Sequence, residues 1–186
     1  MNTTVKVVVC VLIVFSLAVA ADAKPKIVVG THYLNVNQAG QTIPIYVSGG
    51  DEVQGLEFNV CIGGGTEGPI FEDVDILTGT IFEGNNTGIN PGSYINPRCA
   101  YQGTTTSSGT VIADGLLATL TVDTTGLFSG EYTLSLINTP EGKTNFAGVD
   151  IDIVDGLIVV PEPASLTILL VGSSLLIRRQ RNRVRR

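Results

Sequence analysis

From Lys24 to Val160 the chain breaks into short apolar or alternating runs, each closed by residues that turn the backbone. The runs are Ile27–Val29, Tyr33–Val36, Thr42–Val47, Leu56–Ile62, Phe71–Ile76, Val111–Ala113, Leu116–Val122, Tyr132–Ile137, Val149–Ile153 and Leu157–Val160. Between them stand Gln38-Ala-Gly40, Ser48-Gly-Gly50, Gly63-Gly-Gly65, Gly84-Asn-Asn86, Asn90-Pro-Gly92 and Asp114-Gly115. No stretch of this body holds a helical period, so its apolar side chains can be buried only by stacking sheets. The pattern predicts an all-β fold, a jelly-roll or Greek-key β-sandwich of about nine strands. Along one strand, Leu116, Ala118, Leu120 and Val122 are expected on one face, with Leu117, Thr119 and Thr121 on the other.

The two ends follow different rules. Residues 1–23 carry one early cation (Lys6), an apolar stretch from Val7 to Val19, and two small-x-small sites, Ala18-Val19-Ala20 and Ala21-Asp22-Ala23. That is the three-part pattern of a cleaved signal peptide, which predicts an N-terminal signal helix. Residues 161–186 hold Pro161-Glu162-Pro163, a mostly apolar run from Leu166 to Ile177, and Arg178, Arg179, Arg181, Arg183, Arg185 and Arg186. A dense arginine cluster resists translocation and stays on the cytoplasmic side. The body, residues 24–160, is therefore expected outside the cytoplasm as a single domain, followed by a C-terminal transmembrane helix.

Charge and cysteine use agree with export. The net charge of −6 conceals an asymmetry, because six of the eleven Lys and Arg residues are the tail arginines. The body sets Lys24, Lys26, Arg98 and Lys143 against fifteen acids, a net charge of −11. A surface of that sign repels nucleic acid and excludes it as a partner. With the signal removed, Cys61 and Cys99 remain, and in an oxidising compartment the simplest reading is one disulfide. Closing that loop would stabilise the fold by about 4 kcal/mol in the chain-entropy model. Two free thiols, or part of a metal site with His32, are the competing readings.

Catalytic patterns are sparse. His32 is the single histidine, no Gly-x-Ser-x-Gly elbow occurs, and the acids show no spacing that establishes a glycosidase pair. No cofactor is expected. Asp150-Ile-Asp152-Ile-Val-Asp155-Gly156 superficially resembles a calcium loop, but Val154 stands at the fifth position where a ligand is needed, Gly156 comes one place late, and Pro161 stands at the twelfth position in place of a glutamate. Strand alternation accounts for Asp150 and Asp152 better, with Val149, Ile151 and Ile153 inward. Glu72, Asp73 and Asp75 pose the same choice. A structural Ca²⁺ among the acidic loops is left open.

Tyr94 and Tyr101 are candidate carbohydrate contacts in a loop-rich region with Asn90, Asn96 and Arg98. The plainer alternative packs both rings over the sandwich edge near Cys99. Thr104 to Ser108 is expected to be a flexible, solvated loop with hydroxyls open to O-glycans, and Asn85-Asn86-Thr87 matches an N-glycan sequon.

Val160-Pro161-Glu162-Pro163, the apolar run and the arginine cluster together resemble a PEP-CTERM sorting signal. That resemblance implies export, transient insertion in a bacterial membrane, and processing near Pro161-Glu162-Pro163 by an exosortase-type enzyme, in bacteria that build an extracellular polysaccharide. Residues 164 to 177 would span about 21 Å as a helix, short of a hydrocarbon core of roughly 30 Å. This suits a segment that is processed.

The body more distantly resembles cohesin-like domains, a jelly-roll group related to carbohydrate-binding modules. The residues that carry this are Val36 to Ile45, Gln54-Gly-Leu-Glu-Phe58, Asp114 to Leu120, Gly130-Glu-Tyr-Thr-Leu134 and Asp155-Gly-Leu-Ile-Val159. Dockerin binding is not carried over, because no dockerin-facing surface can be placed residue by residue. The sequence thus predicts a non-catalytic envelope or extracellular-matrix protein with a structural or adhesion role. The alternative is a carbohydrate-binding module for extracellular polysaccharide.

Overall fold

The structure is a computed structural model that describes residues 24–139, 142–147 and 149–162. The expected signal helix, Pro163, the transmembrane helix and the arginine cluster lie outside the described residues. Among the described residues no helix is long and apolar enough to cross a membrane.

The strands are β1 (Lys26–Val28), β2 (Thr31–Tyr33), β3 (Gln41–Ser48), β4 (Glu52–Val53), β5 (Gly55–Ile62), β6 (Ile70–Asp75), β7 (Tyr94–Ile95), β8 (Cys99–Thr105), β9 (Val111–Ile112), β10 (Gly115–Asp123), β11 (Gly130–Leu136), β12 (Asn138–Thr139), β13 (Gly142–Lys143), β14 (Asn145–Phe146), β15 (Asp152–Val154) and β16 (Gly156–Val160). Two sheets form the body: β15-β1-β3-β10-β6, and β2-β16-β11-β5-β8-β7 with β14 also paired to β5. β3 alternates buried and exposed residues throughout, with Ile43, Ile45 and Val47 inward. From the second sheet, Leu56, Phe58, Val60 and Ile62 of β5 meet them in one continuous core with Leu120, Val122, Leu134 and Ile158. Together these faces make the all-β sandwich that the alternation predicts.

The strand count exceeds the expected nine because sixteen strands, nine of them two or three residues long, occur among the described residues. Three further differences have physical causes. β8 is missing from the apolar runs because its sequence, Cys-Ala-Tyr-Gln-Gly-Thr-Thr, is mostly polar. It is nevertheless paired along its length with β5, from Gly55↔Thr105 to Cys61↔Cys99. Second, β2 lies at Thr31–Tyr33 and not at Tyr33–Val36, because parallel pairing to β16 sets its register at Thr31↔Leu157 and Tyr33↔Val159. Third, a bulge in β10 shifts the register between Leu116 and Ala118. An extra residue at a bulge resets the alternation, so Leu117 is buried and Leu116 only half-buried. Beyond it Ala118, Leu120 and Val122 point inward as expected.

The first and last segments of the body close one side together. β1 runs parallel to β15 in one sheet, and β2 runs parallel to β16 in the other. Both segments cross between the sheets side by side, at Gly30 and Gly156. The Leu157 amide donates to the Gly30 carbonyl at 2.9 Å. A Cβ on Gly156 would strike that same carbonyl oxygen and Val29, so the crossing admits only glycine there.

Candidate functional site

Cys61 and Cys99 face each other across β5 and β8 and form a disulfide. The Ile62 amide donates to the Arg98 carbonyl at 2.8 Å in the next pair along. Cys61↔Cys99 is therefore a non-hydrogen-bonded pair, the kind that brings antiparallel Cα atoms closest; here they are 4.2 Å apart. Of the readings open in the sequence, the disulfide is the one observed.

Tyr101 lies two residues along β8 on the same outer face. β7 pairs Tyr94 directly with Tyr101, and the ring centroids stand 6.2 Å apart with planes tilted by 36°. Tyr94 is 49 % exposed. The two rings therefore pack on each other and remain open on the sheet's outer surface. Burial, and then the neighbouring Glu57 carboxylate, push the Tyr101 phenol above its ordinary pKa. Glu57 in turn accepts a hydrogen bond from Asn145 Nδ2 at 2.8 Å. Glu57 and Asn145 were not singled out in the sequence. Only the pairing of β14 with β5, Asn145↔Glu57, joins positions 88 residues apart.

The expected polar companions of the tyrosines serve the fold instead. Asn96 Oδ1 accepts from the amides of Arg98 (3.1 Å) and Cys99 (2.6 Å), holding the turn into β8. Arg98 Nε donates to the Gly68 carbonyl at 3.0 Å. The Asn90 amide donates to the Gly103 carbonyl at 2.7 Å, which lays its loop against β8. What remains as a surface site is Tyr94, Tyr101, Glu57 and Asn145. Beside it, Lys143, Thr144, Asn145, Asp150 and Ile151 line an open, polar depression of about 320 Å³.

Thr104 to Ser108 is not the free loop expected. Thr104 and Thr105 belong to β8, and Thr104, fully buried, donates its hydroxyl to the Gly88 carbonyl at 2.9 Å. Thr106 Oγ1 donates to the Gly109 carbonyl at 2.8 Å. Asn85 of the sequon clamps this loop: its Nδ2 donates to the Ser108 carbonyl (2.9 Å), and its Oδ1 accepts from the Ser107 hydroxyl (2.9 Å). A glycan on Asn85 would have to be attached to the same Nδ2 that holds Ser108. His32 Nε2 donates to the Val29 carbonyl at 2.7 Å, beside the Gly30 crossing, which is a structural role.

The acids are distributed, not convergent. Asp150 and Asp152 both contact Lys24 Nζ, at 2.8 and 3.1 Å. That hydrogen bond and charge hold the Asp150 carboxyl below its usual range and raise the Lys24 ammonium. Asp155 Oδ1 accepts from the Leu136 amide at 2.9 Å. For Asp75, burial opposes ionisation, but amide donors from Thr78 and Leu77 outweigh it and lower its pKa. Among the described residues no three His, Cys, Asp or Glu side chains are grouped to hold a metal ion.

The geometry defines a two-sheet β-sandwich with a disulfide and an open aromatic pair side by side on one outer face. It is similar in fold to cohesin modules. A non-cellulosomal cohesin from the hyperthermophilic archaeon Archaeoglobus fulgidus superposes with a TM-score of 0.56 at 17 % identity, over 75 % of this chain and 93 % of that one. The seventh ScaB type I cohesin from Pseudobacteroides cellulosolvens gives 0.55 at 16 % identity, over 76 % and 94 %. The Clostridium thermocellum OlpC cohesin, solved in complex with the dockerin Doc435, gives 0.54 at 14 % identity, over 78 % and 99 %. At such identities the likeness is one of fold. No family model and no curated relative matches the chain.

Proposed function

We propose that this chain is an exported, non-catalytic module of the cell envelope or extracellular matrix, which acts by holding a partner in a structural or adhesive role. The observation that carries this is the Cys61–Cys99 disulfide, because such a bond persists in oxidising compartments and not in the cytosol. The fold supports a holding role, since cohesins bearing the same sandwich include one solved with its dockerin. Under this reading residues 1–23 are removed as a signal peptide. Residues 24–160 form the working domain, and residues 161–186 act as a PEP-CTERM signal. Pro161, Glu162 and Pro163 present the processing site to an exosortase-type enzyme, while Arg178, Arg179, Arg181, Arg183, Arg185 and Arg186 hold the cytoplasmic side of the bacterial membrane.

The test is fractionation of the full chain in a host with such an enzyme, combined with thiol alkylation. Oxidised Cys61 and Cys99 in the envelope or medium are expected. A cytoplasmic chain with two reactive thiols and both ends intact would overturn the reading.

A second reading, binding of extracellular polysaccharide, is favoured by the exposed Tyr94–Tyr101 pair beside Glu57 and Asn145. Retardation of the protein in polysaccharide-containing native gels is expected to drop in Tyr94→Ala and Tyr101→Ala. Equal mobility of the variants and the parent would exclude it.

A further inference from the structure

The two most exposed large hydrophobic side chains among the described residues are Phe128, 77 % exposed, and Tyr33, 76 % exposed. They lie 95 positions apart in the chain, yet the sheet register brings both to the same end of the sheet, on either side of β16. Tyr33 pairs with Val159, and Gly130, two residues after Phe128, pairs with Val160. Val160 is the last residue of β16, so both aromatics flank the point where the body ends and leads through Pro161 and Glu162 to the apolar run. Ile70, 37 % exposed, opens β6 opposite Asp123 at the same end of the sandwich.

The loop that follows Tyr33 and the loop that carries Phe128 are fixed to each other. Thr124, fully buried, donates its hydroxyl to the Asn35 carbonyl (2.7 Å) and accepts from the Gln38 amide (3.0 Å). The Gln41 side chain, also buried, accepts from the Asn35 amide and donates to the carbonyls of Asn35 and Gln38. The Gly126 amide donates to Asn37 Oδ1 at 3.1 Å. One buried polar knot thus ties the loop after Tyr33 to the loop before Phe128.

We infer that this end of the domain is a membrane-contacting foot, in which Phe128 and Tyr33, with Ile70 of the other sheet at the same end, enter the interfacial layer of the bilayer while the tail is inserted. The inference rests on reading residues 161–186 as membrane-directed. Aromatic rings are favoured at the headgroup level, where an apolar body meets a wet surface. Only Pro161 to Ser165 separate β16 from the start of the apolar run, so the exit end is held against the surface. Exposed Glu131 lies beside Val159, in the row that Tyr33 also joins, and Glu162 follows Pro161. Neither carboxylate attracts an anionic lipid, so the contact is apolar and interfacial in character. The body's first described residue, Lys24, lies at the opposite end, where β1 pairs Lys26 with Ser48.

The chain contains no tryptophan, so a single introduced Trp reports its own surroundings. Full-length Phe128→Trp, Tyr33→Trp, Tyr46→Trp and Leu170→Trp chains are each reconstituted in phosphatidylcholine–phosphatidylglycerol vesicles, with and without brominated phosphatidylcholine. Tyr46 is 55 % exposed on the outer face of β3 and serves as the control; Leu170 reports the tail. Phe128→Trp and Tyr33→Trp are expected to shift to shorter wavelength and lose intensity to bromine, with Tyr46→Trp unchanged. If Leu170→Trp is quenched while the Phe128 and Tyr33 reporters are not, the foot is overturned and the tail reading stands. If Leu170→Trp is not quenched, both fall. A blue shift without bromine quenching would place the aromatics against another copy of the chain, and quenching of Tyr46→Trp would mean the domain has no oriented contact; either result overturns the foot.

Discussion

Each end of the sandwich is secured around one fully buried threonine, and the two threonines do different amounts of work. At the exit end, Thr124 bonds to Asn35 and Gln38 backbone groups and also accepts from Gln41 Nε2 at 3.1 Å. At the opposite end, the β12–β13 hairpin interrupts the strand that runs beside β5. Thr144 fills the gap, its Oγ1 accepting from the Asn59 amide and donating to the Asn59 carbonyl, both at 2.9 Å. Beyond that second threonine the side-chain contacts of this end are exposed, including the Asn145–Glu57 bond and the Lys24–Asp150 and Lys24–Asp152 pairs. The exit end is a cross-linked knot, and the far end is a plugged gap with a solvated rim. Each threonine is the only partner of one backbone amide, Gln38 or Asn59, but Thr124 makes the larger number of buried hydrogen bonds, and each adds to the cost of losing the hydroxyl.

Valine substitutions test this directly, because they keep the shape and remove the hydroxyl. Thr124→Val should cost about 2–3 kcal/mol, since the hydroxyl's bonds to Asn35, Gln38 and Gln41 go together and the Gln38 amide is left without a partner, while the Asn35 and Gln38 carbonyls keep Gln41 Nε2. Thr144→Val should cost less, about 1–2 kcal/mol, because it removes two hydrogen bonds and orphans the Asn59 amide alone, the Asn59 carbonyl keeping the Ile137 amide. Urea midpoints of the two variants give the order, and a larger loss in Thr144→Val would break the comparison.

Asp75 supplies a smaller, pH-dependent effect. Its pKa is lowered in the folded state, so the unfolded chain binds the proton more readily. Its contribution is therefore present above the ordinary carboxylate range and is lost as pH falls through that range, near about pH 4, and below. Asp75→Asn should flatten the acid limb of the stability profile, and an unaltered limb would remove Asp75 from that account.

The smallest effect is expected from Lys24→Ala. The pair is exposed, and exposed ion pairs contribute little. The Asp150 part, with its pKa lowered, fades as pH falls; the Lys24 part, with its pKa raised, fades only as pH rises through the raised value. Thermal melts of Lys24→Ala and the parent at neutral pH should coincide. A clear loss would show that the far end depends on its rim.

The sites differ in how legible they were. Cys61–Cys99 could be read from the sequence because two cysteines in an exported body leave one simple pairing. Tyr94 and Tyr101 could be named, but β8 could not, since Gln102, Gly103 and Thr104 are buried without being apolar. Their burial comes from β5 on one side and the Asn85–Gly92 loop on the other. Neither partner is local, so the segment read as a solvated loop. Asn85 shows the same limit, because a sequon cannot reveal that the amide is already holding Ser107 and Ser108.

The alternation in β3, β5 and the second half of β10, with the glycine- and asparagine-rich turns, determined by itself that this chain folds as a sandwich of sheets. Side-chain period and turn chemistry are local properties, and a chain with this pattern can hide its apolar faces in few other ways. Only the tertiary structure decided which residues share a surface: Tyr94 beside Tyr101 and Glu57, and Phe128 and Tyr33 on either side of β16 at the end from which the chain leaves. Those neighbours are set by register between strands far apart in sequence. Register depends on the packing of the whole core, with its bulge at Leu117 and its glycine crossing at Gly30 and Gly156.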